Sequence, residues 1–461
     1  MALGRRKKER QQEMWIETAA LPRSEGHVFY RKLNQLLAEA GFDKFVESLC
    51  EEHYHHTMGR PGIPPGRYFR MLLVGYFEGI GSQRGIAWRC GDSLSLREFL
   101  DVPLKEDTPD HSSLTRVRDR LPLKVHEAVF RFVLQLADEK NLIQGKTVAV
   151  DATTLEANAA MKSIVRRDTG EDWPEYIKRL MQEAGEIEEG DEPSAEEIAR
   201  FDRKRTDKKV SNTEWRSGTD PDSRITKMKD SRTHLAYKVE HVIDLDTELI
   251  LAAEIYPANQ ADVDTIGPSI TASQDNLIQA DSDANIKEAV ADKGYHKNET
   301  LAELEFTEGL RTYIAEPKQT HRRNWKNKLD EYRQAVTNNR RRTKGSRGRS
   351  LQRKRSERVE RSFAHVCGTG GARRTWLRGI DKVRKRYLIS AMSRNLGLVM
   401  RSLFGIGTAR SLQAEGGLAD SLQLALFAMS RILRRLSTIR FVQLAPQSKN
   451  TPTALRFVLD T

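Results

Sequence analysis

Two aspartates sit in similar settings in this 461-residue chain. TVAVDATT is rich in β-branched residues and alternates Val148 and Val150 with smaller ones, as a strand does, and Asp151 stands at its end. A charge there is costly unless it faces a cleft, a partner or a metal. NIKEAVADKGY (285–295) repeats the arrangement, with Asp292 after Ala289-Val290-Ala291 and Gly294 letting the chain turn just beyond it. Between them HLAYKVEHVIDL (234–245) and LILAAEIYPA (249–258) read as an antiparallel hairpin that turns at Asp246-Thr247-Glu248. Neighbouring strands of one sheet would bring the two carboxylates together. Mg²⁺ prefers oxygen ligands and takes one or two carboxylates, leaving places for water and phosphate. Two such ions about 4 Å apart can activate an attacking oxygen and stabilise the leaving one in an in-line phosphoryl displacement. A third carboxylate is then wanted from a helix beside the sheet. Glu360 in SERVERSFAHV suits that role, on the helical face of Phe363 and Ala364, while Arg358 and Arg361 point elsewhere toward phosphate. Glu357, one turn earlier, is the competing choice.

The elements that must hold these acids follow from composition and periodicity. Lys and Arg exceed Asp and Glu by 77 to 65, a net charge of +12, so the surface attracts a polyanion, with nucleic acid the first candidate. No apolar run approaches the ~20 residues that cross a bilayer, MLLVGYF (71–77) being far too short, and no apolar segment follows the basic N-terminus as an export signal would. Cys50, Cys90 and Cys367 form neither a disulfide framework nor a zinc pattern, so a reducing, cytoplasmic and nucleoid-associated setting is expected.

After a basic tail (1–25), residues 26–142 read as a helical domain, a DNA-binding one or else an ordinary helical packing or dimerisation unit. Phe29, Leu33, Leu36, Leu37, Phe45 and Leu49 recur at helical spacing; further helices start at Pro64-Pro65, after Ser82, and after Ser112 or Ser113. Short helices and tight turns suit a helix-turn-helix reader, with Arg116, Arg118 and Arg120 near phosphate. From 143 to 404 the period changes to strands mixed with helices, an α+β or α/β domain with a mixed sheet flanked by helices. Within it, 160–232 runs from an acidic block to a basic one and is expected to be a loop or partly ordered insertion. Residues 320–361 are dense in Arg, the preferred residue for phosphate forks. The tail 405–461 carries one amphipathic segment, SLQLALFAMSRILRRL.

TVAVDATT, ITKMKDSRTHLAYKVEHVIDLDT, ADKGYHKNETL and above all ERVERSFAHVCGTGGARRTWLRG resemble the DDE transposases of bacterial insertion sequences. More narrowly, they resemble the branch with a helical N-terminal domain and an RNase H-like catalytic domain, over roughly residues 28–402 without the acidic insertion. The resemblance implies that Asp151, Asp292 and Glu360 ligate two Mg²⁺ or Mn²⁺ ions. It further implies that water cleaves DNA at the element's ends, and that the freed 3′-hydroxyl attacks target DNA. Pairing of two DNA ends makes a homodimer the expected assembly. In related branches the glutamate belongs to a Tyr-x2-Arg-x3-Glu-x6-Lys signature, whose places here hold Arg353, Ser356 and Cys367. Lys354, Arg355, Arg358 and Arg361, with Arg373 and Arg374 after the glycine turn, are the expected substitutes on DNA. Tyr295 and His296 are candidates to stack on an unpaired base. Two alternatives stay open: an element-derived DNA-binding protein without catalysis, and an RNase H-like nuclease without strand transfer. EEHYHH lacks metal-ligand spacing, His365 is as readily a core or DNA-facing residue as a metal neighbour, and GTGGARR lacks the context of a nucleotide loop.

Overall fold

The computed structural model describes residues 27–55, 59, 62–206, 210–228, 231–318 and 323–409. The amphipathic segment expected in the C-terminal tail lies outside these residues.

Seven helices come first: α1 (Val28–Glu39), α2 (Phe42–Cys50), α3 (Pro65–Glu78), α4 (Gln83–Asp92), α5 (Leu94–Phe99), α6 (His111–Arg120) and α7 (Leu123–Glu139). Pro65 opens α3, where its missing N–H costs nothing, and Gly79 closes it with φ +69°. Between them nearly every side chain is buried, so α3 is the hub of the helical part. Its buried Arg70 forks onto Asp43 and also reaches Asn34 Oδ1 and the Phe99 carbonyl, tying α1, α2 and α5 to α3. Ser82 caps α4 by accepting from Gly85 N–H. For α6 the expected serine cap is corrected: Asp110 accepts from Ser113 N–H at 2.7 Å, because a carboxylate one residue before the helix meets its open amides best.

The sheet combines β1 (Thr147–Glu156), β4 (Arg224–Lys227), β5 (Thr233–Asp244), β6 (Ile250–Pro257), β7 (Glu288–Ala291) and β8 (Arg311–Ile314) in the order β4-β5-β1-β7-β8, with β6 also paired to β5. β5 runs antiparallel to β1 and β6, whereas β7 is parallel to both β1 and β8. α10 (Asp262–Gln279) packs on one face, and α13 (Ser346–Phe363) and α14 (Ile380–Phe404) on the other, which is why β5 is buried on both sides from Leu235 to Asp244. α11 (Asn298–Ala302) and α12 (Asp330–Lys344) finish the β8 side. Two buried asparagines satisfy backbone groups left over at the sheet's borders. Asn395 of α14 bonds both polar groups of Ile250 on β6, and Asn339 of α12 does the same for Ile314 on β8.

The segment 160–232 is not the loop its polarity suggests. It forms the two-stranded sheet β2 (Ile164–Arg166) with β3 (Trp215–Ser217), and the helices α8 (Trp173–Glu183) and α9 (Ala195–Lys204). Local chemistry compensates for low apolar content. Asp172 with Glu175, and Ser194 with Glu197, form reciprocal capping boxes that satisfy the first open amides of each helix. Trp173, Tyr176 and Trp215 pack ring to ring at 5.1–5.9 Å, with Arg166 over two of them.

Candidate active site

Strand register decides how the two aspartates meet. Asp151 lies in the middle of β1 rather than at its end, since the strand continues to Glu156 along β5. The parallel ladder with β7, however, stops at Ala149 opposite Val290. Continuing that offset by two residues sets Asp151 level with Asp292, the first residue after β7. Adjacent strands lie about 4.8 Å apart. The expected 285–295 strand is thus only four residues long, because Asp292 leaves it by accepting from Gly294 N–H at 2.7 Å to start a 3-10 turn. Gly294 leaves room for both carboxylates: a Cβ there would meet Asp262 Oδ2 at 2.6 Å and Asp292 Oδ1 at 3.0 Å, so Asp262 would have to shift to admit one.

Asp151 pairs across the sheet with His241, so both side chains share the face covered by α13. Arg355 of that helix donates to Asp151 Oδ2 at 2.8 Å, and the Ala152 N–H donates to Oδ1. Burial pushes the Asp151 carboxyl above its ordinary range, against the pull of Arg355 and Ala152, and the charge of Asp292 pushes it the same way. Gln352, one turn before, holds the helix down by donating to the Ala291 and Tyr313 carbonyls. Two turns beyond, Ser362 bonds His241 Nδ1 at 3.0 Å and Phe363 stacks on its ring.

Glu360 lies on α13 between Arg355 and Phe363 and is exposed. Its carboxylate has no hydrogen-bond or ion-pair partner among the described residues, and no three His, Cys, Asp or Glu side chains there are grouped to hold a metal ion. The structure therefore brings Asp151 and Asp292 together without gathering all three acids into one group. Ala364, expected to pack with Phe363, is exposed.

The basic residues expected on DNA divide into three sets. Lys354, Arg358 and Arg361 lean on the β5–β6 turn: Lys354 pairs with Asp246 at 3.4 Å, Arg358 donates to the Leu245 carbonyl, and Arg361 binds Glu248 and Glu357. Arg373, Arg374 and Arg116 are exposed, Arg374 lying over the Trp376 ring at 5.1 Å. Arg118 is half-buried beside Asp119 at 3.5 Å, and Arg120 lies over Tyr54 at 4.8 Å. Tyr295 is a correction. Its ring is 0% exposed and its hydroxyl donates to Glu240 at 2.8 Å, so it cannot stack on a base. His296 is half-buried, and it borders an open groove with Lys297, Arg323, Trp325, Lys326 and Lys328.

Sequence reasoning missed what lies on the α10 face. Glu240, the neighbour of His241, points the opposite way and accepts from Tyr295, Thr265 (2.9 Å) and Ser269 (2.5 Å), while Lys238 pairs with Asp262 at 2.7 Å and lies 3.7 Å from Glu240. The alternation of charged residues in HLAYKVEHV was the available signal. Likewise Trp325 stood in view inside HRRNWKNK, where only its charges were read.

Residues 18–120 match the Transposase domain (DUF772), and residues 146–396, more than half of the chain, match the Transposase DDE domain. The chain belongs to the DDE transposase family. No curated protein and no solved structure matches it. As a DDE transposase it is an enzyme of DNA transposition that depends on divalent metal and takes DNA as substrate. Its helical N-terminal region followed by a mixed sheet flanked by helices agrees with the α+β, RNase H-like arrangement of such enzymes. No helix among the described residues is long and apolar enough to cross a membrane.

Proposed function

We propose that Asp151, Asp292 and Glu360 are the metal-holding triad of this transposase, and that they cleave DNA at the ends of an insertion sequence and join it to a target. The observation that carries the reading is the register that sets Asp151 level with Asp292 on the face under α13, the helix that bears Glu360. Two oxygen donors on neighbouring strands suit a hard cation, which accepts one or two carboxylates and keeps sites for water and phosphate. When bound, two Mg²⁺ or Mn²⁺ ions would activate the attacking oxygen and stabilise the leaving one.

The chain's own residues prepare that centre. Gly294 N–H holds Asp292 Oδ1 and leaves Oδ2 available. Tyr295, anchored on Glu240, fixes the turn that aims Asp292. Arg355 neutralises Asp151 in the free protein, and on loading it is released to the substrate phosphate, the role the literal signature would give another basic residue. The groove beside His296, with Trp325 among lysines and Arg323, tracks a DNA strand away from Asp292 by stacking and phosphate contact. Pairing of two DNA ends is the work of a homodimer.

The test is strand cleavage of labelled terminal DNA in Mg²⁺ and in Mn²⁺. Asp151→Asn, Asp292→Asn and Glu360→Gln should each lose at least about 10³-fold in rate, on the order of 4 kcal/mol, while binding DNA nearly as the parent does. Cleavage by Asp292→Asn at the parent's rate ends the triad assignment. Full activity of Glu360→Gln with loss in Glu357→Gln moves the third ligand by one turn.

A further inference from the structure

A cavity of about 580 Å³ lies between the helical part and the sheet, within the size range of small-ligand sites. α3, α4 and α6 wall it on one side; β1, the glycine turn after α13 and α14 wall it on the other. Most of the lining is apolar, with Tyr68, Leu72, Ile86 and Ile389 part of it.

The charged lining is all positive, but its members are not equally matched. Arg84 and Arg374 are exposed to solvent, and Arg374 lies 3.7 Å from Glu156. Arg118 lies 3.5 Å from Asp119, and Lys385 donates to the Arg118 carbonyl at 3.1 Å. Arg386 differs from these: among the described residues no acceptor or carboxylate meets it, and its Nη1 is buried without a hydrogen bond. Burial pushes its guanidinium below the ordinary arginine range, against the Tyr68 hydroxyl, and the charge of Arg118 pushes the same way. Ser390, one turn further along α14 and 1% exposed, has a buried Oγ that is also without a partner, as is Arg118 Nε. All three residues line the cavity, so their donors lie beside a space that offers them no acceptor. Buried donors left in that state bear their full desolvation cost.

The charges say which acceptor fits. Among the described residues, Arg386 is the one lining cation that is withdrawn from solvent and unmatched, so a single negative charge completes the site. A second would be buried without a counter-ion. A carboxylate carries one charge and two acceptor oxygens, enough for a guanidinium and a hydroxyl together. The apolar walls then call for a hydrocarbon or aromatic body behind it.

We infer that this cavity binds a small organic monocarboxylate, its carboxylate on Arg386 and Ser390 and its apolar body against Tyr68, Leu72, Ile86 and Ile389. The site uses none of the three proposed metal ligands and stands independently of the cleavage chemistry. A ligand held by both walls favours the folded protein by mass action, so its binding raises Tm.

The experiment titrates the full-length protein with decanoate, followed by calorimetry and by Tm, with decanol and decyl phosphate as equal chains bearing other head groups, each below the concentration at which it aggregates. Decanoate should bind at a single site, and the other two at least about tenfold more weakly. Arg386→Met should weaken decanoate binding by at least about tenfold, while the Tm of the free variant holds or increases because an unmatched buried charge is gone. Ser390→Leu fills the cavity with apolar volume and should abolish binding of decanoate and decanol alike, again with Tm held or increased. Decanoate binding of parental strength by either folded variant overturns the inference, as does absence of binding by the parent. Should neither variant fold, the head groups decide on the parent alone. Decanol binding as tightly as decanoate removes the role of charge and overturns the inference; tighter binding of decyl phosphate overturns it by assigning the cavity to phosphate esters.

Discussion

The two faces of the sheet treat buried charge differently. On the α10 side, Lys238, Glu240, Thr265, Ser269 and Tyr295 satisfy one another within a closed network, and nothing in it is free to leave. Under α13, Asp151 is held by the Ala152 N–H and by one cation, a guanidinium on a long side chain, beside a second aspartate that repels it. The first arrangement keeps a shape. The second can trade one cation for another, which the proposed metal site would require.

Breaking the closed side should have the largest effect. Glu240→Ala leaves Lys238 and Tyr295 facing a void, and removal of one partner of a buried charged pair costs roughly 3–5 kcal/mol; chemical denaturation should show that loss, and Glu240→Gln a smaller one. If Glu240→Ala unfolds at the parent's denaturant concentration, the network is not structural. A second contrast concerns acid. Burial between Ser362, Phe363 and Tyr387 holds the His241 imidazole well below its ordinary range, so it stays neutral in the folded protein. The unfolded chain takes up a proton near pH 6.5 and the folded one does not. Stability contributed here is therefore complete above about pH 6.5 and falls as the medium is acidified below it, a slope that His241→Gln should flatten in pH-resolved melting curves.

Opening the exchangeable side gives a smaller effect of opposite sense. Arg355→Met removes the resident cation, so Mn²⁺ should bind the DNA-free protein about tenfold more tightly, or about 1.4 kcal/mol, read as a larger metal-dependent rise in Tm; unchanged metal affinity would mean that Arg355 is not the competitor. Smallest is Ser362→Ala, which takes one hydrogen bond from His241 and should cost about 1 kcal/mol.

Much of this was legible from residue order. Asp151 and Asp292 were visible because apolar β-branched runs carry them, and the β5–β6 hairpin because alternation and its turn residues agree. The helix starts at Pro65 and Ser82 were legible for the same local reason. What escaped notice depends on partners far away in the chain. Nothing near Tyr295 indicates that Glu240, 55 residues earlier, will bury it, and polarity hid the 160–232 helices because capping boxes and an aromatic cluster stabilise them with few apolar residues. Glu360 was read from its neighbours on the helix, yet the direction of α13 over the sheet is set by Gln352 and Ser362, whose bonds span 39 to 121 residues.

α14 has a consequence for how such enzymes can be recombined. Its Asn395 grips β6, its Lys385 reaches the Arg118 carbonyl of α6, and its flank packs along α7 and α3. The last helix described thus supplies interior to the helices α3 and α7 as well as to the sheet. A chimera that swaps only residues 26–142 for the equivalent stretch of another element would pair a foreign surface with the old α14, and should misfold or aggregate. Exchanging residues 380–404 together with 26–142 is the graft that preserves a matched interior.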